Sequence, residues 1–213
     1  MKTDGLMLLL CGTLLCTACG DESYTPAPPV LPAGSTTENV DQNSKEAVLR
    51  DRTADLLQLL KDKDYASFAE YIHPEEGVRF SPYGHVDTLR DVHLTQSEFK
   101  LLHGDGAAKK TDWGYFDGSG EPIRMTFQAY FDRFVYDVDF ANAPQKSVNK
   151  TLGRGNMINN MDSVYTYADY TENYFPGFDE KYKGMDWRSL RLVYRMRNGE
   201  PFLIGVIHDE WTN

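Results

Sequence analysis

Cysteine is nearly missing from this chain of 213 residues. All three cysteines, Cys11, Cys16 and Cys19, fall within the first nineteen positions. The body of the protein therefore forms no internal disulfide and offers neither a thiol nucleophile nor a thiolate metal site. Long hydrophobic runs are absent too. The one apolar stretch, Leu6–Leu15, is too short to span a bilayer and has the length of a signal-peptide core. Positive charge is in deficit: 22 Lys and Arg stand against 32 Asp and Glu, a formal net charge of −10. That excludes broad nucleic-acid binding and docking on anionic lipid through a basic face. Phosphate-loop, HExxH, GxSxG and dinucleotide glycine signatures are also missing, so no cofactor is implied. "GRGN" at 153–156 has glycines but no strand-to-helix setting and reads as a loop.

What is present begins with "MKTDGLMLLLCGTLLCTACGDES". Small residues Thr17 and Ala18 precede Cys19, after a short apolar segment. This resembles the bacterial lipoprotein signal, which implies removal of residues 1–18, lipidation of Cys19 and a place on the extracytoplasmic face of the cell membrane. Residues 19–44 then read as a lipidated cysteine and a tether. The stretch 20–43 holds four prolines and four acids but no Lys or Arg, and has no apolar period. As a flexible coil it reaches roughly 25–30 Å.

Residues 45–213 are enough for one domain with a substantial core. Asn43 and Glu46 suggest a capping box, followed by Leu49, Leu56 and Leu60 on one helix face. A second helix follows from the Asp64 cap, with Tyr65, Phe68, Ala69 and Ile72 at helical spacing. Thr95 and Glu98 make another capping box. Thr126 caps "FQAYFDRFVYDVDF", whose stripe Phe127, Phe131, Phe134, Val135 and Val138 predicts a long helix with Asp132, Asp137 and Asp139 on its solvated face. The last third turns to strands. "SVYTYA" and "YTENYF" read as extended runs. "RSLRLVYRM" and "PFLIGVIHDEW" read as a hairpin across Asn198–Gly199. A two-residue loop pairs 197 with 200 and 191 with 206. It puts Leu192, Tyr194, Leu203 and Ile207 on one face and Val193, Phe202, Ile204, Val206 and His208 on the other. Both faces are apolar, so both need cover from helices or from a partner.

Two opening helices, the second stopped before a short strand, then a further helix and long C-terminal strands resemble the NTF2-like (SnoaL-like) superfamily. "LLQLLKDKDYASFAEYIHPEEGVRFSP" carries the local likeness. Segments such as "WGYFDGSGEPI" and "IHDEWT" are also similar to a group of exported bacterial proteins. The superfamily resemblance implies an α+β fold, a curved antiparallel sheet packed on N-terminal helices around a conical pocket. It implies no single activity, because the superfamily holds isomerases, dehydratases, cyclases and pure binding or dimerisation modules.

Candidate site residues follow from residue chemistry. In "HPEEGVRFSPYG", His73–Pro74 reads as a helix stop and "PEEG" as a turn, and positions 79, 81 and 83 share a strand face. If that face lines a cone, Arg79 is an anion-binding group and Tyr83 a neighbour. Tyr130 and Arg133 on the aromatic helix are polar anchors at a cavity mouth, or simply packed. His208 on an apolar sheet face is a general base or a satisfied core histidine, and His73 is the other candidate base. "HVD" at 85–87 supplies metal-ligand types but no visible partners, so no metal is expected. Three readings result. The first is a lipid-anchored module for a small polar ligand or an envelope partner. The second is a small pocket enzyme with a histidine base, and the third a structural homodimer without ligand.

Overall fold

The computed structural model describes residues 36–153 and 155–212. The signal peptide, Cys19 and the tether up to residue 35 lie outside the described residues. Helix α1 (Thr36–Asp62) starts before Asn43, so Asn43 lies within the helix and caps nothing, and the end of the presumed tether is helical. Leu49, Leu56, Leu57 and Leu60 are buried along one side. Lys63 ends the helix in the left-handed region at φ 57°. Asp64 then accepts a hydrogen bond from Ser67 N–H at 3.0 Å and opens α2 (Tyr65–Ala69).

Strands β1 (Val78–Ser81) and β2 (Val92–Leu94) pair antiparallel. Helix α3 (Gln96–His103) starts on the expected Thr95–Glu98 capping box. Strands β3 (Thr111–Tyr115) and β4 (Pro122–Met125) form a separate hairpin. Helix α4 (Phe127–Phe134) is capped by Thr126, then β5 (Gln145–Val148), α5 (Met161–Val164), β6 (Asp169–Phe175), β7 (Arg188–Arg197) and β8 (Glu200–Glu210) complete the chain.

Six strands form one open, curved sheet in the order β2-β1-β8-β7-β6-β5. The class is α+β, as expected, but the sheet is mixed rather than antiparallel. After α2 the chain runs alongside β8 in the same direction, with Ile72 bridging Leu203 and then Phe80 opposite Val206. One face of the sheet carries α1–α4. The space there is filled by Phe68, Phe80, Phe99, Trp113, Phe127 and Phe131, none more than 2% exposed. Trp113 stacks on Tyr130 at 4.0 Å and Phe127 on Phe131 at 4.1 Å. Each such pair contributes about 0.5–1.5 kcal/mol beyond its buried area.

The β7–β8 hairpin turns at Asn198–Gly199 as expected, with Arg197 opposite Glu200. Its register then slips by one residue. Tyr194 faces Leu203 but Val193 faces Gly205, so Ile204 is an extra residue and Arg191 pairs with Ile207, not Val206. A one-residue bulge exchanges the faces of everything beyond it. Val206 and His208 therefore join Leu190 and Leu192 on the helix-covered face, and Ile207 joins Val193 on the other. That second face is covered by the chain itself. Met161, Val164 and Tyr165 lie over Val86, Val193, Ile204 and Ile207. The expected strand "SVYTYA" is thus the end of a helix followed by a turn, held down by the Asn160 side chain, which bonds both the N–H and the carbonyl of Val86 at 2.8 and 2.9 Å. Covering an apolar sheet face outweighs local β-propensity here.

Helix α4 is also shorter than its apolar stripe predicts. It stops at Phe134, and Val135 leaves helical geometry. Asp132 and Asp139 stay near the surface, paired with Lys63 and Lys61. Asp137 is redirected inward, its side chain only 12% exposed.

Candidate functional site

The opening residues of the loop between α2 and β1 are structural in geometry. The His73 ring is buried, and its Nδ1 accepts from the N–H groups of Glu76 at 2.9 Å and Glu75 at 3.3 Å. The backbone of His73 bonds Leu203 O and Gly77 N at 2.9 Å each. The ring is spent on closing the "PEEG" turn. Arg79 alternates with Phe80, which faces the helices, so Arg79 points to the opposite face of the sheet. There it donates to the carbonyl of Asp91 at 2.9 Å. Tyr83 lies beyond the end of β1 and does not follow Arg79. It turns into the core and meets Phe134 at 5.7 Å.

Beside the end of β1 lies a cleft of about 360 Å³, lined by Tyr83, His85, Asp87, Arg90, Asp91 and Tyr115, among others. Asp91 forms its floor. It follows the turn that leads into β2, and the N–H of Asp87 donates to its Oδ2 at 2.9 Å. Gly114 of β3 (φ 117°) lets the hairpin approach, since a Cβ there would sit 3.2 Å from Asp91 Oδ1. The carboxyl is 7% exposed. Burial pushes it up to about 6. The nearby Ser81 hydroxyl and the Asp87 N–H pull it down, while the Asp87 charge adds to the rise. No well-aligned hydrogen bond from Ser81 Oγ is present among the described residues, so burial decides the direction. Arg90 lies over the Tyr115 ring at 4.8 Å and 3.8 Å from Asp87. Asp87, Asp91 and Asp117 outnumber Arg90 around the opening. The cleft suits a ligand that brings positive charge or several hydrogen-bond donors.

Tyr130 is not at a mouth. It is fully buried, its hydroxyl has no hydrogen-bond partner among the described residues, and burial pushes its ionisation well above the ordinary 10, with the Asp91 charge adding to the effect. Arg133 is half exposed. It bonds Glu210 and lies 4.5 Å from the Phe134 ring centre.

Behind Pro82 the sheet carries a charged group that the sequence pattern does not show. The His208 ring is fully buried, with Nδ1 3.2 Å from Pro82 O and Nε2 3.3 Å from Asp137 Oδ1. Arg188 bonds Asp137 Oδ2 at 2.8 Å and reaches Glu210 at 3.2 Å. On the opposite face Arg191 bridges Glu172 and Asp209 at 3.1 and 3.0 Å, all three buried. Glu172 also accepts from Gly153 N–H at 3.0 Å, so this set clamps the loop before α5 onto the sheet.

The structure thus brings His208, Arg133 and Tyr83 to one end of the helix-covered face. It leaves His73 in a turn and Arg79 on the other face. Asp91, Asp137 and Glu210 were missed by sequence reasoning. The only sequence signal for Asp91 is its place after the turn-forming "HVDTLR", which does not predict depth. Comparison of the chain with protein-family models, curated proteins and solved structures gave no match.

Proposed function

We propose that this chain is a lipid-anchored, extracytoplasmic binding module of NTF2-like type, which takes a small polar ligand with a cationic amine in the Asp91 cleft. The buried Asp91 carboxyl, at the floor of an opening with more acids than bases, carries the reading. The NTF2-like assignment is supported by the order of helices and strands and by an open, curved sheet with helices on one face. Anchoring rests on the short apolar run and small residues before Cys19. No helix among the described residues is long and apolar enough to cross a membrane. A homodimer that buries a sheet face has less support, since the chain covers both faces itself.

Two measurements test this. Cys19→Ala should abolish lipid labelling and release the protein from membranes; unchanged fractionation and labelling would refute the anchor. Calorimetric titration with a panel of small primary amines should find a ligand whose affinity falls by about tenfold or more in Asp91→Asn, the loss of one charged hydrogen bond. Amine binding equal in wild type and variant would refute the cleft.

One observation favours an enzyme as the second reading. A carboxyl poised at about 6 is suited to general acid–base catalysis near neutrality. The base would then be Asp91, since His73 is spent on its turn and His208 is sealed beneath Pro82.

A further inference from the structure

We propose that Asp137, His208 and Glu210 form a divalent metal site, for which Zn²⁺ is the ion of best-matched chemistry. Each presents one ligand atom, and the three atoms lie within 4.8 Å of one another. One imidazole nitrogen with two carboxylate oxygens is a donor set for a borderline divalent transition ion.

The geometry around the His208 ring carries the inference. Its Nδ1 faces the Pro82 carbonyl at 3.2 Å. A carbonyl only accepts, so Nδ1 holds the proton. Nε2 then points toward Asp137 Oδ1 at 3.3 Å. Neither of these two buried atoms has a hydrogen-bond partner among the described residues. In the neutral ring two lone pairs face each other away from water, which is strongly unfavourable. A proton on Nε2 gives a charge pair with Asp137 at 3.3 Å but no aligned N–H···O bond. A cation placed off the Nε2–Oδ1 line, toward Glu210, satisfies both atoms. An Nδ1–H held by a backbone carbonyl is also how metal-binding imidazoles are oriented.

The arginines set the terms of binding. Arg188 holds the outer oxygen of Asp137 at 2.8 Å, leaving Oδ1 for the ion. Arg133 and Arg188 both reach Glu210. Their side chains are 41% and 26% exposed, so each has a path to water when the ion takes Glu210. Donor atoms at about 2.0–2.2 Å from zinc stand closer together than the widest spacing here. Glu210, at the last position of β8, therefore has to move inward on binding.

The test uses the full chain, stripped with chelator, loaded with Zn²⁺ and dialysed. Elemental analysis should find one equivalent retained. Asp137→Asn, close to wild type in shape, should weaken Zn²⁺ by roughly tenfold or more, and Glu210→Gln likewise. Arg133→Gln should tighten it by about tenfold, since it removes a competing positive charge. A purely structural ion cluster predicts no such gain. Nitrogen NMR of the His208 ring gives a readout on wild type that needs no variant: Zn²⁺ should shift Nε2 and leave Nδ1–H in place. Sub-stoichiometric retention would overturn the proposal. So would retention unchanged in a folded Asp137→Asn protein, or an Nε2 resonance that is protonated and insensitive to Zn²⁺.

Discussion

Replacing Asp91 by asparagine isolates the energetic consequence of burying that carboxyl. Its ordinary value is 3.8, and the fold holds it at about 6. Below the lower value both folded and unfolded chains carry the proton, and the group adds nothing to pH dependence. Between the two values the unfolded chain has released its proton while the folded chain keeps it. The folded state then binds more protons, so stability falls as pH rises. Above the folded value the loss is complete. At 1.36 kcal/mol per tenfold change it amounts to roughly 3 kcal/mol. Asparagine has nearly the same shape and does not titrate. Other carboxylates also titrate, Asp139 among them, held down at about 2 chiefly by its hydrogen bond from Lys61. They are common to both proteins and cancel. Urea unfolding of wild type and Asp91→Asn at constant ionic strength, from pH 4 to pH 8, measures the difference. The variant's relative stability should climb by roughly 2–3 kcal/mol across that range, mostly between pH 4 and pH 6. A flat difference would show that Asp91 is hydrated and ordinary, and the cleft would lose its floor. An amine ligand should also bind more tightly as pH rises through 6, because it favours the ionised carboxylate.

His73→Asn should change stability by less than about 1 kcal/mol, because the asparagine oxygen can accept from the same turn N–H groups. A thermal melt lowered by far more would mean the ring does something beyond the turn. Gly199→Ala should cost about 1 kcal/mol in denaturant unfolding. Gly199 sits at φ 82° with nothing within 4 Å of a Cβ, so the cost is conformational. Arg191→Met should cost roughly 3–5 kcal/mol by leaving Glu172 and Asp209 buried without their cation. A loss under 1 kcal/mol would show those carboxyls protonated in the fold.

Local chemistry was legible from residue order. The Thr95–Glu98 box, the Thr126 cap and the Asn198–Gly199 turn each depend on residues a few positions apart, and each stands in the structure, whereas the helix expected to stop at His73–Pro74 ends at Ala69, because Ile72 and His73 are drawn into bridges with Leu203 and Gly77. The α+β class was implied by the family resemblance, and the cover required on both sheet faces followed from periodicity, which is also local. The site was much less legible. His208 changed faces because one extra residue, Ile204, entered β8, and no pattern of alternation reveals a bulge. Asp137 turned inward because α4 ended at Phe134, although the apolar stripe continued to Val138. The depth of Asp91 depends on β3 coming close at Gly114, and the direction of β1 on pairing with β8, more than a hundred residues away in the chain. Sequence by itself determined the helix caps and the hairpin turn, because those are settled by neighbours along the backbone. Only the tertiary structure decided which charges meet, because burial and proximity depend on segments that approach one another in space and carry no mark of it in their order.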